Sequence, residues 1–271
     1  MSKKIHESVQ MGQNNIIGKN VILEKGVIIG NNCIINDNVT IKENTKIGNG
    51  CILGEYINDY FISDSHLYVN PKTVIGKNSL IRSMTIIYAD NNLGDFLETG
   101  HRVTIREKSD IGHHVRIGTL SDIQGFCKIG NYVRMHSNVH VGQESNIKDF
   151  VWLFPYCILT NDPTPPSNRL FGTTLEKYSV LATGTIVLPN MRIGEASFIG
   201  AHSLVNKNVE AGKLYAGNPA KYICEVKDFK NRFTGEFPYP WMKNFERGMP
   251  WEGIGYDKWL ESSLGRKDDE L

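Results

Sequence analysis

Apolar residues recur every sixth position along most of the chain. This recurrent position, called the anchor below, is Ile, Leu, Val or Met and is often followed by Gly, as at Ile17-Gly18 and Ile29-Gly30. A six-residue period differs from the 3.6-residue period of an amphipathic helix. The 25 anchors are Ile17, Leu23, Ile29, Ile35, Ile41, Ile47, Leu53, Ile75, Ile81, Ile87, Ile105, Ile111, Ile117, Ile123, Ile129, Met135, Val141, Ile147, Leu153, Leu159, Leu181, Val187, Ile193, Ile199 and Val205.

A second inward position follows four residues after most anchors and holds a small or β-branched side chain. Examples are Val21, Cys33, Thr45 and Val115. Two inward positions in every six residues, separated by polar pairs and Gly or Asn, predict short strands with a corner after each. Three such strands make one triangular coil of a hexapeptide β-helix, an all-β fold. The anchors therefore predict roughly eight coils and a prism about 40 Å long.

The pattern is interrupted in two places and covered by a polar stretch in a third. The phase breaks at 58–71 and again at 160–177, and a polar excursion runs from Tyr88 to Arg102. Insertions in a solenoid often carry function. The periodicity ends after Cys224. We therefore expect a β-helix domain over 13–225 and a C-terminal extension over 226–271 that packs as a mostly irregular tail on the prism or on a neighbouring subunit.

Composition narrows the classes of partner. Thirty Lys and Arg against 29 Asp and Glu give a net charge of +1, which argues against nucleic acid as the main partner. The chain has no apolar run of about 20 residues and its N-terminus lacks the apolar core of a signal peptide, so we expect a cytoplasmic protein without a membrane partner. Cys33, Cys51, Cys127 and Cys157 occupy the second inward position and are predicted to be packing residues.

The repeat, closed by the sequence GNPAK at Gly217–Lys221, resembles the hexapeptide-repeat acyltransferase superfamily. The resemblance implies a left-handed parallel β-helix, a homotrimer, and a donor that is acetyl-CoA or another acyl-CoA, used as co-substrate without a permanently bound cofactor. The spacing itself shows neither the hand nor the trimer.

A narrower resemblance rests on TGHRVTIRE (Thr99–Glu107), RMHSNVHVGQES (Arg134–Ser145) and LTNDPTPP (Leu159–Pro166). These segments are similar to bacterial N-acyltransferases that modify dTDP-linked amino-dideoxyhexoses for surface glycans. The resemblance implies a sugar site at a subunit interface, formed by His136, Glu144, Asn161 and Asp162. The chain departs from that family at the early break and in its tail.

Two histidines are candidates for proton transfer. His136 directly follows the anchor Met135 and is expected to point outward, and an imidazole suits proton transfer near neutral pH. It is our predicted catalytic base. His140, just before the anchor Val141, is the alternative on the next corner. In the first excursion, Asp95 and His101 are predicted to contact substrate.

The donor site is predicted in the late coils. By the resemblance, pantetheine runs along the backbone at Ala182, Gly184 and Ala201, where small side chains allow close approach. Lys207, Lys213 and Lys221 follow and are candidates to neutralise the CoA phosphates. The absence of a Walker-type phosphate loop argues against a kinase or ATPase.

The predicted function is N-acylation of a dTDP-linked 3-amino- or 4-amino-dideoxyhexose. Alternatives are O-acetylation of a small sugar or of serine, acylation of a UDP-amino-sugar, and a non-catalytic β-helix subunit. A γ-type carbonic anhydrase is a further alternative. It would need three histidines on zinc across subunits, drawn from His113, His114, His136 and His140. We predict no metal site.

Overall fold

The computed structural model describes residues 4–58 and 68–263. Its strands wind into a left-handed β-helix of about 11 turns. They form three sheets of ten, twelve and ten strands, called faces A, B and C in the order of the list that follows, and all their strand pairs are parallel except the last pair of face B. The predicted all-β hexapeptide β-helix is confirmed.

The 32 described strands, β1 to β32 in chain order, divide among the faces as follows. Face A holds β1 (Lys4–Ile5), β4 (Ile22–Leu23), β7 (Val39–Ile41), β10 (Thr73–Ile75), β13 (Asn92–Leu93), β16 (Asp110–Ile111), β19 (Lys128–Ile129), β22 (Asn146–Ile147), β25 (Thr174–Leu175) and β28 (Arg192–Ile193). Face B holds β2 (Gln10–Met11), β5 (Ile28–Ile29), β8 (Lys46–Ile47), β11 (Leu80–Ile81), β14 (Glu98–Thr99), β17 (Arg116–Ile117), β20 (Arg134–Met135), β23 (Trp152–Leu153), β26 (Val180–Leu181), β29 (Phe198–Ile199), β31 (Lys213–Ala216) and β32 (Lys221–Glu225). Face C holds β3 (Ile16–Ile17), β6 (Ile34–Ile35), β9 (Ile52–Glu55), β12 (Ile86–Tyr88), β15 (Thr104–Ile105), β18 (Asp122–Ile123), β21 (His140–Val141), β24 (Ile158–Leu159), β27 (Ile186–Val187) and β30 (Leu204–Val205).

The anchors and the second inward positions form one continuous core. All 25 predicted anchors are buried except Ile17, which is half-buried at the open N-terminal end. The four predicted packing cysteines are also buried. Burial raises the pKa of Cys127 and of Cys157 to about 12 each, so neither thiol is a thiolate nucleophile near neutral pH.

The expected excursion from Tyr88 to Arg102 is wrong, because this stretch continues the coils as β13 and β14. Leu93 and Thr99 take the two anchor positions and both are buried. Asn91 can fill a core position because both its amide nitrogen and its amide oxygen are hydrogen-bonded. It donates to Tyr88 O at 2.8 Å and accepts from Ser109 N at 2.8 Å. Because these hexads are rich in polar residues, the apolar pattern did not count them. This is one reason why the predicted number of eight coils was too low. The coils also start earlier, at β1.

Both insertions interrupt the coils between a strand of face C and the next strand of face A. The first follows β9, and its residues 59–67 lie outside the described part of the chain. The second, called the second insertion below, covers residues 160–173 and ends at β25, four residues earlier than predicted.

The C-terminal extension folds back over face B of its own chain. After the antiparallel pair β31–β32 come two 3-10 turns, Val226–Asp228 and Trp241–Lys243, and one helix, α1 (Tyr256–Ser263). The residues that follow β32 form only a single 3-10 turn, and α1 was not predicted. Buried side chains of the extension pack on Phe150, Tyr178 and Val180; they are Trp241, Met242, Met249, Trp251 and Trp259.

We expect Gly118→Ala to destabilise the coils that carry the predicted base. A Cβ at Gly118 would lie 2.3 Å from the carbonyl carbon of His136 and 2.4 Å from Ser137 N, so the backbone must shift. The free energy of unfolding should fall by about 3 kcal/mol, the upper range for overpacking. Thermal unfolding measures the change.

Gly50→Ala is the matched control. Its φ of +67° is strained for alanine, but the nearest atom to a Cβ there is Met84 Cγ at 3.7 Å. It should cost only about 1 kcal/mol. Equal melting temperatures for the two variants would contradict the close contact between coils.

Candidate active site

Residues 18 positions apart lie side by side on neighbouring coils, as Arg116 and Arg134 do, and the spacing is 28 across the second insertion, as for Trp152 and Val180. Each edge of the prism therefore carries columns of residues. On the edge between faces B and C, one column contains His136, Phe154 and Ala182. Adjacent columns of the same edge contain His101, Ala201 and Gly184.

His136 is exposed at its rim and flanked by aromatic rings. Its imidazole stacks on Phe154 with ring centroids 4.6 Å apart, and Trp152 lies 6.3 Å away. This partial burial lowers the pKa of His136 below its usual 6.5, so the ring is neutral at pH 7. Its backbone is fixed by the coils, because His136 N donates to Leu153 O at 2.8 Å. A neutral imidazole on this fixed backbone can accept a proton.

The predicted donor residues begin where the bulky residues of this edge end. Past Phe154 the column narrows to Ala182, and Ala201 lies on the next coil. The space above Gly184 is taken by His202, whose Nδ1 lies 2.7 Å from where a Cβ would sit. Lys221 is exposed at the end of this edge. The structure thus lines up His136 with Ala182 and Ala201.

Glu144, Asn161 and Asp162 lie on a different edge, between faces C and A. The Cβ of Asn161 lies 3.3 Å from where a Cβ of Gly142 would sit, so it adjoins the Gly142–Ser145 corner that holds Glu144. Face C separates this group from His136 in one chain.

Asp162 mainly holds its own loop together. Its carboxylate accepts from Ser167 Oγ at 2.7 Å, Ser167 N at 2.8 Å and Thr164 N at 3.0 Å. The bonds from Ser167 and Thr164 hold the pKa of Asp162 below its usual value. Asp162 therefore stabilises the turn at the start of the second insertion.

The remaining predicted residues are scattered. Asp95 lies on the edge between faces A and B, where its carboxylate is 3.7 Å from both Lys77 Nζ and His113 Nδ1. His101 is on the His136 edge, two coils away, on a regular corner and not on a loop. Lys207 lies at the last corner between faces C and A, and Lys213 pairs with Glu210.

The sequence reasoning missed the partner of His140. His140 Nδ1 lies 3.3 Å from Asp122 Oδ2 on face C. Burial opposes ionisation of Asp122, but hydrogen bonds with His140 and Gln124 outweigh it and lower the pKa of the carboxyl. The 18-residue spacing of the two residues was the available signal. This pair orients His140 as a second possible base.

It also missed a groove on face B beneath the extension. One part, about 220 Å³, is lined by Arg116, Arg134, Met135, His136, Trp152, Phe245 and Arg247. A second part, about 300 Å³, shares Arg116 and Arg134 and continues past Glu98 to Phe96 and His114. Together they are called the face-B groove below. Arg247 and Phe245 come from the aperiodic extension, which gave no sequence signal.

An aromatic cavity of about 480 Å³ adjoins the groove. The two share Trp152 and Phe245 as walls. The cavity is also lined by Phe154, Val180, Tyr239 and Trp241. Its lining is largely apolar, although the indole Nε1 of Trp152 is buried without a hydrogen-bond partner in the described part of the chain.

Within residues 4–58 and 68–263, no group of three or more His, Cys, Asp or Glu side chains is placed to hold a metal ion. The four histidines considered for zinc are spread over one chain, with His113 and His114 on the A/B edge, His136 on the B/C edge and His140 on face C. In the same residues, no helix is long and apolar enough to cross a bilayer.

Comparison with known proteins supports the resemblance to the hexapeptide-repeat acyltransferase superfamily. The family model for bacterial transferase hexapeptide repeats, six repeats long, matches residues 8–43. A chloramphenicol acetyltransferase from Klebsiella aerogenes is 30% identical over 116 residues, covering 41% of this chain and 51% of that protein. The predicted resemblance to hexapeptide-repeat transferases is thereby confirmed, while the amino-sugar subfamily stays a prediction.

Other known proteins match a longer part of the chain at lower sequence identity. The mitochondrial gamma carbonic anhydrase 1 of Arabidopsis thaliana is 25% identical over 148 residues, covering 52% of this chain and 53% of that protein. The chain thus spans about half the length of the curated relatives it matches. A solved Arabidopsis UDP-N-acetylglucosamine acyltransferase matches 83% of this chain and 73% of its own, with 17% identity and a TM-score of 0.35.

We expect Trp251→Ala to release the extension from face B. Trp251 is only 1% exposed, donates from Nε1 to Phe245 O at 2.9 Å and packs on Phe150. Its truncation should cost about 3–5 kcal/mol locally. Trypsin should then cleave the extension, for example at Lys243 and Arg247, much faster than in the wild type.

Phe233→Ala is the control, because Phe233 is 83% exposed. Its digestion rate should equal that of the wild type. Unchanged cleavage in Trp251→Ala would show that the extension is held by something other than this aromatic packing.

Proposed function

We propose that the chain is an acyl-CoA-dependent N-acyltransferase whose acceptor is a nucleotide-linked amino sugar, a dTDP-linked 3-amino- or 4-amino-dideoxyhexose. One observation carries the proposal of acyl transfer. His136 and the small residues Ala182 and Ala201 lie along a single edge. The pantetheine arm of CoA, lying on the small residues, would therefore end at the imidazole. The similarity to a chloramphenicol acetyltransferase, by name an acetyl-transferring enzyme, supports it. The amino-sugar acceptor rests on the sequence resemblance.

The reaction follows from this arrangement. The acceptor nitrogen attacks the thioester carbonyl, a C–N bond forms, and the C–S bond breaks as the tetrahedral intermediate collapses. His136 removes the proton from the nitrogen and returns it to the leaving thiolate, so no net proton is gained. Positioning on a rigid edge supplies much of the rate.

The separation of Glu144, Asn161 and Asp162 from His136 supports the expected trimer. Face C lies between the two groups within one chain, so these residues can act on the same sugar only if a neighbouring copy brings its C/A edge to the B/C edge of the first. We therefore assign the site to two subunits of a homotrimer.

The aromatic cavity is the natural place for the acyl group. It opens beside Phe154 and Trp152, the two rings around His136, and its volume exceeds what an acetyl group needs. Acyl groups longer than acetyl are therefore expected to be accepted.

A thiol-release assay that crosses acyl-CoAs of increasing length with dTDP- and UDP-amino-sugars tests the function. We expect turnover with a dTDP-amino-dideoxyhexose and equal or higher kcat/KM for C4 acyl-CoA than for acetyl-CoA. The active species should sediment as a trimer.

Activity only with free sugars, serine or another O-acceptor would overturn the N-acyltransferase proposal. Zinc-dependent CO₂ hydration without thiol release would favour the γ-type carbonic anhydrase. A fully active monomer would contradict the shared site.

His136→Asn should lower kcat by about 10²–10⁴-fold, the usual effect of losing a general base, with little change in CoA affinity. His140→Asn and Asp122→Asn are matched controls on the neighbouring face and should keep kcat within about tenfold. A larger loss in the controls than in His136→Asn would move the base to the His140–Asp122 pair.

The pH profile gives an independent check. His136 accepts a proton only when neutral, and partial burial lowers its pKa. The kcat should therefore hold at pH 7 and fall as the pH drops through a value below 6.5. An acidic limb centred above pH 7 would contradict this assignment.

A further inference from the structure

The face-B groove is rich in positive charge. Arg116, Arg134 and Arg247 line it, against the single carboxylate of Glu98. Glu98 is already paired, because its oxygens lie 3.1 Å from Arg116 Nε and 2.9 Å from Arg82. The lining therefore carries a net charge of about two positive units.

Two of these arginines, Arg134 and Arg247, have no carboxylate partner among the described residues. Arg134 is 7% exposed and donates only to the backbone oxygens of His114, at 2.9 Å, and Gly248, at 2.5 Å. Within the described residues, no carboxylate lies within ion-pair distance of Arg134 or Arg247. Desolvation lowers the pKa of Arg134 to about 10, but the guanidinium stays charged near pH 7. A buried unpaired cation is costly, and an anionic ligand would offset that cost.

The groove has aromatic groups at both ends. At one end Trp152 and Phe245 meet edge to face, with ring centroids 5.4 Å apart, beside His136. At the other end Phe96 stacks on His114 at 4.4 Å, and Phe96 is 42% exposed. Phe96 lies on the coil of β14 and Trp152 lies on β23, so three strand spacings separate the two ends along the prism, about 14 Å at the usual strand spacing.

The groove and the predicted pantetheine site extend from His136 in opposite directions along the prism. From His136 the small residues Ala182 and Ala201 run toward the C-terminal coils, whereas the groove runs through Arg134 and Arg116 toward the N-terminal coils. Two ligands could therefore reach His136 from opposite sides without overlapping.

We propose that the face-B groove binds the nucleoside diphosphate of the acceptor. The two phosphates lie on Arg116, Arg134 and Arg247, the base lies against Phe96 and His114, and the sugar lies beside His136 and Trp152. A diphosphate diester carries two negative charges, which match the groove, and arginine is well suited to phosphate. An exposed aromatic face suits a nucleobase. The identification of this ligand as the acceptor and the placement of its sugar rest on the proposed function, whereas the binding of a nucleoside diphosphate rests on the groove alone.

Calorimetric binding of dTDP and of CoA, measured separately and without turnover, tests this site. Arg247→Gln and Arg116→Gln should each weaken dTDP binding about 10–100-fold, the loss expected for a charge-assisted phosphate contact, and leave the Kd of CoA within about twofold. Arg134 is avoided because it also anchors the extension. Pyrophosphate should compete with dTDP.

Lys128→Gln is the matched control, since Lys128 is an exposed cation on face A between the same coils. It should bind both ligands as the wild type does, and all three variants should keep the wild-type melting temperature. A dTDP affinity unchanged in both arginine variants, or a wild type that binds no dTDP, UDP or GDP, would overturn the proposal. A loss of CoA binding instead would assign the groove to the donor and also overturn it.

The outcomes separate this site from the proposed function. If dTDP binding depends on the arginines but no amino sugar is acylated, the nucleotide site is supported and the N-acyltransferase function is contradicted. If an amino sugar is acylated by the arginine variants at the wild-type KM, the function stands and the site falls.

Discussion

The hydrogen bonds between successive coils hold this protein together and decide which residues meet. Each strand donates and accepts across a spacing of one turn, as when His136 N donates to Leu153 O and Tyr132 N donates to His113 O. Because the turns are stacked in register, residues that occupy the same place in successive turns form a column along one edge. His136, Phe154 and Ala182 share a column for this reason, and no loop is needed to bring them together.

The corners impose a second constraint, since one residue per hexad adopts a positive φ. Asn occupies many of these positions, such as Asn20 and Asn38, and tolerates them well. On the A/B edge the position is instead taken by Phe96, His114, Tyr132, Phe150 and Tyr178. Their rings stack at 4.4 to 5.3 Å along the prism. This aromatic column gives the extension an apolar surface to pack on, and the extension in turn roofs the face-B groove.

The fold was predictable because anchors and second inward positions are read directly from the sequence. The failure between Tyr88 and Arg102 is instructive, since Asn91 and Thr99 occupy core positions that an apolar pattern does not recognise. Hydrogen bonds inside the core satisfy Asn91, and these depend on the neighbouring coil. The site was predictable only as far as it follows the period. His136 and Ala182 follow it, whereas Phe245 and Arg247 reach the groove through an aperiodic tail whose packing no local pattern encodes.

The central claim is that two ligands meet at His136 from opposite ends of the prism. A crystal structure of the protein with CoA and dTDP together tests it most directly. The account predicts the CoA sulfur beside His136 with the pantetheine along Ala182 and Ala201, and the dTDP phosphates on Arg116 and Arg247. Pantetheine on the C/A edge, or dTDP bound away from face B, would contradict it.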